Sequence, residues 1–408
     1  MSHAIGETLP LWSVLPFAGL LLAIAIVPMF AGQWWERHYE KVSLGFGLPV
    51  ALYFAIGAPA TLAHTAHEYV SFIVLIGTLF TITGGILVRG AFQPTPLINS
   101  AFLAVGAVLA NLIGTTGASM LLIRPLLRAN ARRQQPAHIV VFFIFLVSNI
   151  GGTLTPLGDP PLFLGYLEGV PFFWTLRLWK EWLFALVCVL GIFLVVDFVA
   201  WQREERHPRE PVGFAVLGAH NFALLGGVLI AVFLGSPWRE ALMLAMGLLS
   251  YYSTRTDVHD ENGFTFHPIR EVAIIFLGIF MAMMPAIVVL EARGSLLGLR
   301  EPWHYFWVTG VLSSFLDNAP TYMTFLASAR GLGLPADVAG VPEAFLAAIS
   351  LGAVFMGANS YIGNGPNFMV KAVAERHGVR MPSFFGYMAY SAVVLLPVFV
   401  CVTLVFFE

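Results

Sequence analysis

Between residues 139 and 167, an apolar run long enough to cross a bilayer is interrupted by Ser148-Asn149-Ile150-Gly151-Gly152-Thr153-Leu154-Thr155-Pro156-Leu157-Gly158-Asp159-Pro160-Pro161. A helix cannot run cleanly through Gly151-Gly152, Pro156 and Pro160-Pro161. The backbone groups freed by the break must find partners, and at membrane depth these exist only inside protein or beside a polar cavity. The chain therefore has to fold around this segment, as a bundle with a broken helix at its centre. One acid, Asp159, lies within the break.

Only 11% of the 408 residues are charged and 58% are hydrophobic, against about 25% charged in a soluble domain. This predicts an all-α polytopic membrane protein. The net charge of −2 speaks against a nucleic-acid partner. Cys188 and Cys401 both lie in apolar runs, which argues against a disulfide framework or a metal cluster. Leu11 to Ala31 has no basic leader and is longer than a signal-peptide core, so it reads as a retained transmembrane helix. No Walker, GxSxG or HExxH motif occurs, so no enzyme activity is expected.

Apolar segments of roughly 20 residues organise the chain into two halves. The first, 1–201, has scaffold helices over 11–88 (near 11–31, 42–60 and 68–88), a hairpin over 95–128, the broken helix 138–167 and a helix at 182–200. The hairpin tip is Gly114-Thr115-Thr116-Gly117, whose flanking arms are too short to be comfortable spans. The hydrophilic stretch 202–211 reads as a cytoplasmic linker. The second half, 212–408, has scaffold helices over 214–290, a hairpin over 302–330 interrupted at Asp317-Asn318-Ala319-Pro320, a broken helix over 343–375 and a last helix at 383–406. Thr116 to Gly158 and Thr321 to Gly363 are both 42 residues apart, and the order of elements repeats. Arg128, Arg132, Arg133, Arg203, Arg206 and Arg209 place the first hairpin base and the linker inside by the positive-inside rule. The loop 331–343 has no Lys or Arg and falls outside. The two repeats are therefore expected to be inverted, and interrupted helices at matching positions point to a transporter's midplane site.

Asp159, before Pro160-Pro161, either caps the second half-helix or acts as a cation ligand or proton carrier, the default for an acid at membrane depth. Asp317 repeats that choice at the second hairpin tip. Oxygen-bearing Asn318, Thr321, Asn359 and Ser360 suit a hard cation. Thr115 and Thr116 offer hydroxyls to a cation, or back-bond to their own helix. Asn149, Asn364 and Asn367 are either ligands or interhelical glue. Lys371 and Glu375 read as a snorkelling pair one turn apart. His64 and His67 read as solvated residues of an outer loop. Arg124 is the one candidate partner for an anion.

These motifs resemble the ion-transporter superfamily, which includes NhaD-type sodium/proton antiporters, arsenite permeases, the P protein and citrate or dicarboxylate symporters. The likeness rests on 148–161, on Phe315-Leu316-Asp317-Asn318-Ala319-Pro320-Thr321 and on 358–367. It implies re-entrant hairpins, an elevator-type transporter, a homodimer, and Na⁺ sites at Thr115, Thr116, Asn149 and Thr153 and at Asn318, Thr321, Asn359 and Ser360. Asn364 is added as a further ion or substrate ligand from its place in the second break. Dicarboxylate symporters carry Ser-Asn-Thr at both hairpin tips; the tips here do not. The expectation is a sodium(lithium)/proton antiporter of a bacterial inner membrane, without a cofactor, in which Asp159 and Asp317 exchange H⁺ for Na⁺. The alternative is sodium- or proton-coupled transport of a small anion such as citrate.

Overall fold

The structure, a computed structural model, describes residues 2–91, 93–204 and 212–407. Among these the chain forms sixteen α-helices and two strands. They are α1 Ser2–Thr8, α2 Leu15–Gly57, α3 Pro59–Gly84, β1 Leu87–Ala91, α4 Pro96–Ala129, α5 Ala137–Leu146, α6 Pro160–Leu167, α7 Trp179–Gln202 and β2 Val212–Leu217. Then follow α8 Asn221–Val232, α9 Trp238–Ser253, α10 Thr256–Glu261, α11 His267–Arg293, α12 Pro302–Ser313, α13 Asn318–Arg330, α14 Glu343–Met356, α15 Gly365–Arg376 and α16 Phe384–Phe406. Six helical stretches among the described residues are long and apolar enough to cross a membrane.

Two of these stretches, in α2 and α4, double back, and so does the pair α12–α13. At Gly114, inside α4, the backbone turns to φ 78° and ψ 153°, a conformation open to glycine. Asn99 and Asn130 then exchange side-chain hydrogen bonds of 3.1 and 3.0 Å. A straight helix would hold these two residues roughly 46 Å apart at about 1.5 Å per residue. The Tyr305 hydroxyl likewise lies 3.2 Å from Ser328 Oγ, so α12 and α13 pack side by side beyond the break at 314–317. In α2 the helix is interrupted at Ala31 (φ −142°, ψ 50°), and Gly19 comes to lie against the Phe46 ring.

The helix ends differ from the sequence reading in three places. The second scaffold helix begins just after Ala31, not at 42, because the polar stretch 32–41 stays helical; polarity there marks a solvated surface, not a helix end. α3 starts at Pro59 in its first turn, which puts His64 and His67 on a helix and not in a loop. The chain is mostly helical, in keeping with the all-α expectation; the exception is 87–91 and 212–217, which pair as an antiparallel ribbon with Leu87 opposite Leu217 and Val88 opposite Val216. Short apolar runs do not distinguish strand from helix by periodicity, and each strand's partner lies more than a hundred residues away. Of the expected linker 202–211, residues 205–211, with Arg206 and Arg209, lie outside the described residues.

The half-helix α5 and the residue after it are buried on every side, from Ile139 through Val147, as is α14 over most of its length. An all-round apolar helix belongs at the centre of a bundle. α11 packs on α2, α3 and α13. Asp197 of α7, fully buried, pins the base of the first hairpin: it bonds Arg133 at 2.7 Å, His138 Nε2 at 2.8 Å and Asn99 Nδ2 at 3.0 Å.

Candidate functional site

The two broken helices place their non-helical centres against each other. The first break runs from Val147 through a 3-10 turn at Ile150–Thr153 to Asp159; the second runs through Gly357–Asn359 to Asn364. Glycine makes the tight passage possible. A Cβ on Gly158 would sit 2.1 Å from the Gly152 carbonyl oxygen, and one on Gly363 would sit 2.6 Å from that of Gly357. The hairpin tips dock on these passages. Thr115 N–H donates to Gly158 O at 2.7 Å. Thr155 Oγ1 donates to the Asn111 carbonyl, and Ser360 Oγ to the Ser314 carbonyl.

Asp159 joins all four pieces. It is 1% exposed. Its Oδ1 accepts from Thr115 Oγ1 at 2.7 Å and from Asn364 Nδ2 at 3.0 Å, and its Oδ2 accepts from Asn318 Nδ2. Asp159 occupies the N-cap position of α6 but makes no side-chain cap hydrogen bond. Its carboxylate instead faces across the centre, where the N-terminal ends of α6 and α15 converge on it. The positive ends of two half-helix dipoles and three donors offset the cost of burying the charge.

Asp317 does the opposite. Its Oδ1 accepts from Ala319 N–H at 3.0 Å and caps α13. Thr321 Oγ1 donates to the Asp317 carbonyl at 2.8 Å and Thr153 Oγ1 to that of Ile150 at 2.7 Å, so each hydroxyl proton is committed to its own turn while the oxygen lone pairs stay open to a cation. Thr116 is half-buried and faces a cavity of about 40 Å³ beside Asp159, walled by Phe72, Leu79 and Phe80 of α3. Asn149 Nδ2 donates to Ile144 O at 2.8 Å and to Asn367 Oδ1 at 2.7 Å, and Asn359 Nδ2 donates to Ser314 Oγ at 2.9 Å. The structure thus gathers Thr115, Asp159, Asn318 and Asn364 in one cluster, ties Asn149 to it through Asn367, and sets Asn359 and Ser360 on Ser314.

The amide oxygens of Asn149, Asn318 and Asn359 are buried without a hydrogen-bond donor. Unpaired acceptors of this kind cost free energy and suit a hard cation, which prefers oxygen ligands. Asn111 and Ser314, which escape the motif reading, hold this site together with Asn367. Asn111 and Ser314 each stand three residues before a tip (Gly114, Asp317), a spacing that is the available sequence signal.

A second cavity, of about 400 Å³, opens between α3, α4, α11 and α15. Phe80 borders both cavities. Arg124 and Arg376 line the larger one, with Asn262, His267 and Glu271 on the facing wall. Among the described residues no carboxylate forms an ion pair with either arginine. Arg376 is the last residue of α15 and carries no motif, so the sequence marks only Arg124.

The sequence model of one family, described as "Putative citrate transport", matches residues 6–407. The chain belongs to that family. No curated protein matches it significantly. Membership in the citrate-transport family, with six apolar helices, makes this an integral membrane protein of a transporter family, in keeping with a non-enzyme. The family supports the carboxylate alternative at least as well as the antiporter expectation, and adds nothing in favour of the NhaD-type or arsenite branches.

Proposed function

We propose that the protein is a cation-coupled secondary transporter of a small multivalent carboxylate of the citrate class, with the coupling ion at Asp159 and the substrate held by Arg124 and Arg376. The observation that carries the substrate assignment is the cavity of about 400 Å³ in which the two arginines meet without a carboxylate partner among the described residues. Small-molecule sites run upward from about 300 Å³, and guanidinium groups bind carboxylates in two-point fashion. The central cluster is a poor substrate site, because its donors and helix ends already serve the carboxylate of Asp159. A second anion there would meet like charge. The orphan oxygens of Asn149, Asn318 and Asn359 favour Na⁺ as the coupling ion, with H⁺ on Asp159 as its exchange partner.

Two inverted repeats account for the central geometry. Asp159 and Asn364, Thr155 and Ser360, Gly152 and Gly357, and Gly158 and Gly363 are each 205 residues apart in sequence. Asp159 and Asn364 meet at 3.0 Å, as equivalent positions do near a two-fold axis. We take the hairpins and broken helices as the moving unit and α2, α3, α8, α9 and α11 as its scaffold, in an elevator-type homodimer of a bacterial inner membrane.

The test is uptake of labelled citrate into proteoliposomes under imposed Na⁺, Li⁺ or H⁺ gradients. Saturable uptake that collapses without the gradient supports the proposal. Sodium-driven proton flux that needs no carboxylate would replace it with the antiporter reading, which the orphan oxygens also favour.

A further inference from the structure

Away from both cavities, at the end of α6 opposite Asp159, a histidine and two glutamates converge between helices. His64 and Glu68 lie one turn apart on α3, and Glu168 follows α6. His64 Nε2 is 3.6 Å from Glu68 Oε1 and 3.6 Å from Glu168 Oε1, and one ligand atom from each of the three residues lies within 4.8 Å of the others. The two histidine separations are too long for good hydrogen bonds. They are close to the edge of a tetrahedron around zinc, about 3.4 Å for ligand bonds of about 2.1 Å. A second observation points to a ligand. Glu68 is only 4% exposed, yet its Oε1, aimed into this cluster, has no hydrogen-bond partner.

The surroundings hold the ligands in place. Arg330 of α13 binds the other oxygen of Glu168, Oε2, and donates from Nη2 to the Glu168 carbonyl at 3.0 Å. Oε1 is left facing His64. Such outer partners orient metal ligands. The His64 side chain is 62% exposed, which leaves an entry path and a position for water. One imidazole and two carboxylates suit Zn²⁺ and its transition-metal neighbours over Mg²⁺ or Ca²⁺, which favour all-oxygen sites.

We propose that His64, Glu68 and Glu168 form a divalent transition-metal site that clasps α3 to the end of α6. By the arginine distribution this end of the bundle faces outside. Asp159 stands at the N-cap of α6, so a metal bridging the far end of α6 to α3 restrains the half-helix next to the coupling carboxylate. Metal arriving from outside then arrests the transporter.

The test uses the full-length purified chain in carboxylate-free buffer, with ZnCl₂ as the probe and MgCl₂ as the control. Micromolar ZnCl₂ raises the thermal transition of the native protein, and MgCl₂ does not. His64→Ala, at an exposed position that the fold does not need, weakens the apparent Zn²⁺ affinity at least tenfold; His64→Cys, which restores a zinc ligand, recovers it. In proteoliposomes external ZnCl₂ slows native uptake and leaves His64→Ala unaffected. An absent Zn²⁺ shift, or an equal shift in the native protein and His64→Ala, overturns the site. The binding readout involves no substrate, so it is independent of whether citrate is carried.

Discussion

Replacing Asp159 by asparagine separates its chemistry from its packing. The carboxylate takes two donors on Oδ1 and one on Oδ2. An asparagine of the same shape keeps the two acceptor bonds on its single oxygen and turns an amide N–H₂ toward Asn318. Asn318 has a buried Oδ1 without a donor. A half-turn of its amide puts that oxygen against the new N–H₂, so all three contacts survive. The substitution also removes a buried charge, whose desolvation is expensive. We therefore expect Asp159→Asn to unfold within about 1 kcal/mol of the native protein. Asp159→Ala instead strands three donors at roughly 1–3 kcal/mol each, a loss of roughly 3–9 kcal/mol before any water enters. Thermal unfolding of the detergent-solubilised proteins measures the contrast. Uptake measures the function: Asp159→Asn, though folded, should lose gradient-driven accumulation by more than tenfold. Equal destabilisation by both substitutions would refute the hydrogen-bond accounting. Normal coupled uptake by Asp159→Asn would refute the coupling role.

The other positions give simpler outcomes. Asp317→Asn should keep stability and transport, because asparagine caps as well as aspartate, while Asp317→Ala costs about 1 kcal/mol; loss of coupling in Asp317→Asn would restore Asp317 as an exchanging acid. Arg124→Gln should raise the KM for citrate by roughly 10- to 150-fold, the equivalent of about 1.5–3 kcal/mol for a charged hydrogen bond, with the protein's thermal transition unchanged. Gly158→Ala would place its Cβ 2.1 Å from the Gly152 oxygen; the backbone must shift at the centre, and both uptake and the thermal transition should fall.

Local chemistry made much of this chain legible before folding. Hydropathy gives the membrane class, and Gly151-Gly152, Pro156 and Pro160-Pro161 require a break wherever the chain goes. The motifs at 114–117, 148–161, 317–321 and 357–367 bring out most of the residues that end up around Asp159. What local pattern could not supply was partnership. Asp159 and Asp317 precede similar half-helices in similar phrases, yet Asp317 caps its own helix while Asp159 turns across the centre to Thr115, Asn318 and Asn364. That choice depends on donors 44 to 205 residues away. The same holds for β1 and β2, for Arg376 joining Arg124 across a cavity, and for His64, which reads as a loop residue until the end of α6 brings Glu168 to it. Sequence alone determined where the helices break and which residue types stand at the breaks, because backbone sterics and membrane solvation act within a few residues. Only the tertiary structure decided which broken ends face one another, because a hydrogen bond needs its partner within about 3 Å, and that proximity is a property of the packed bundle.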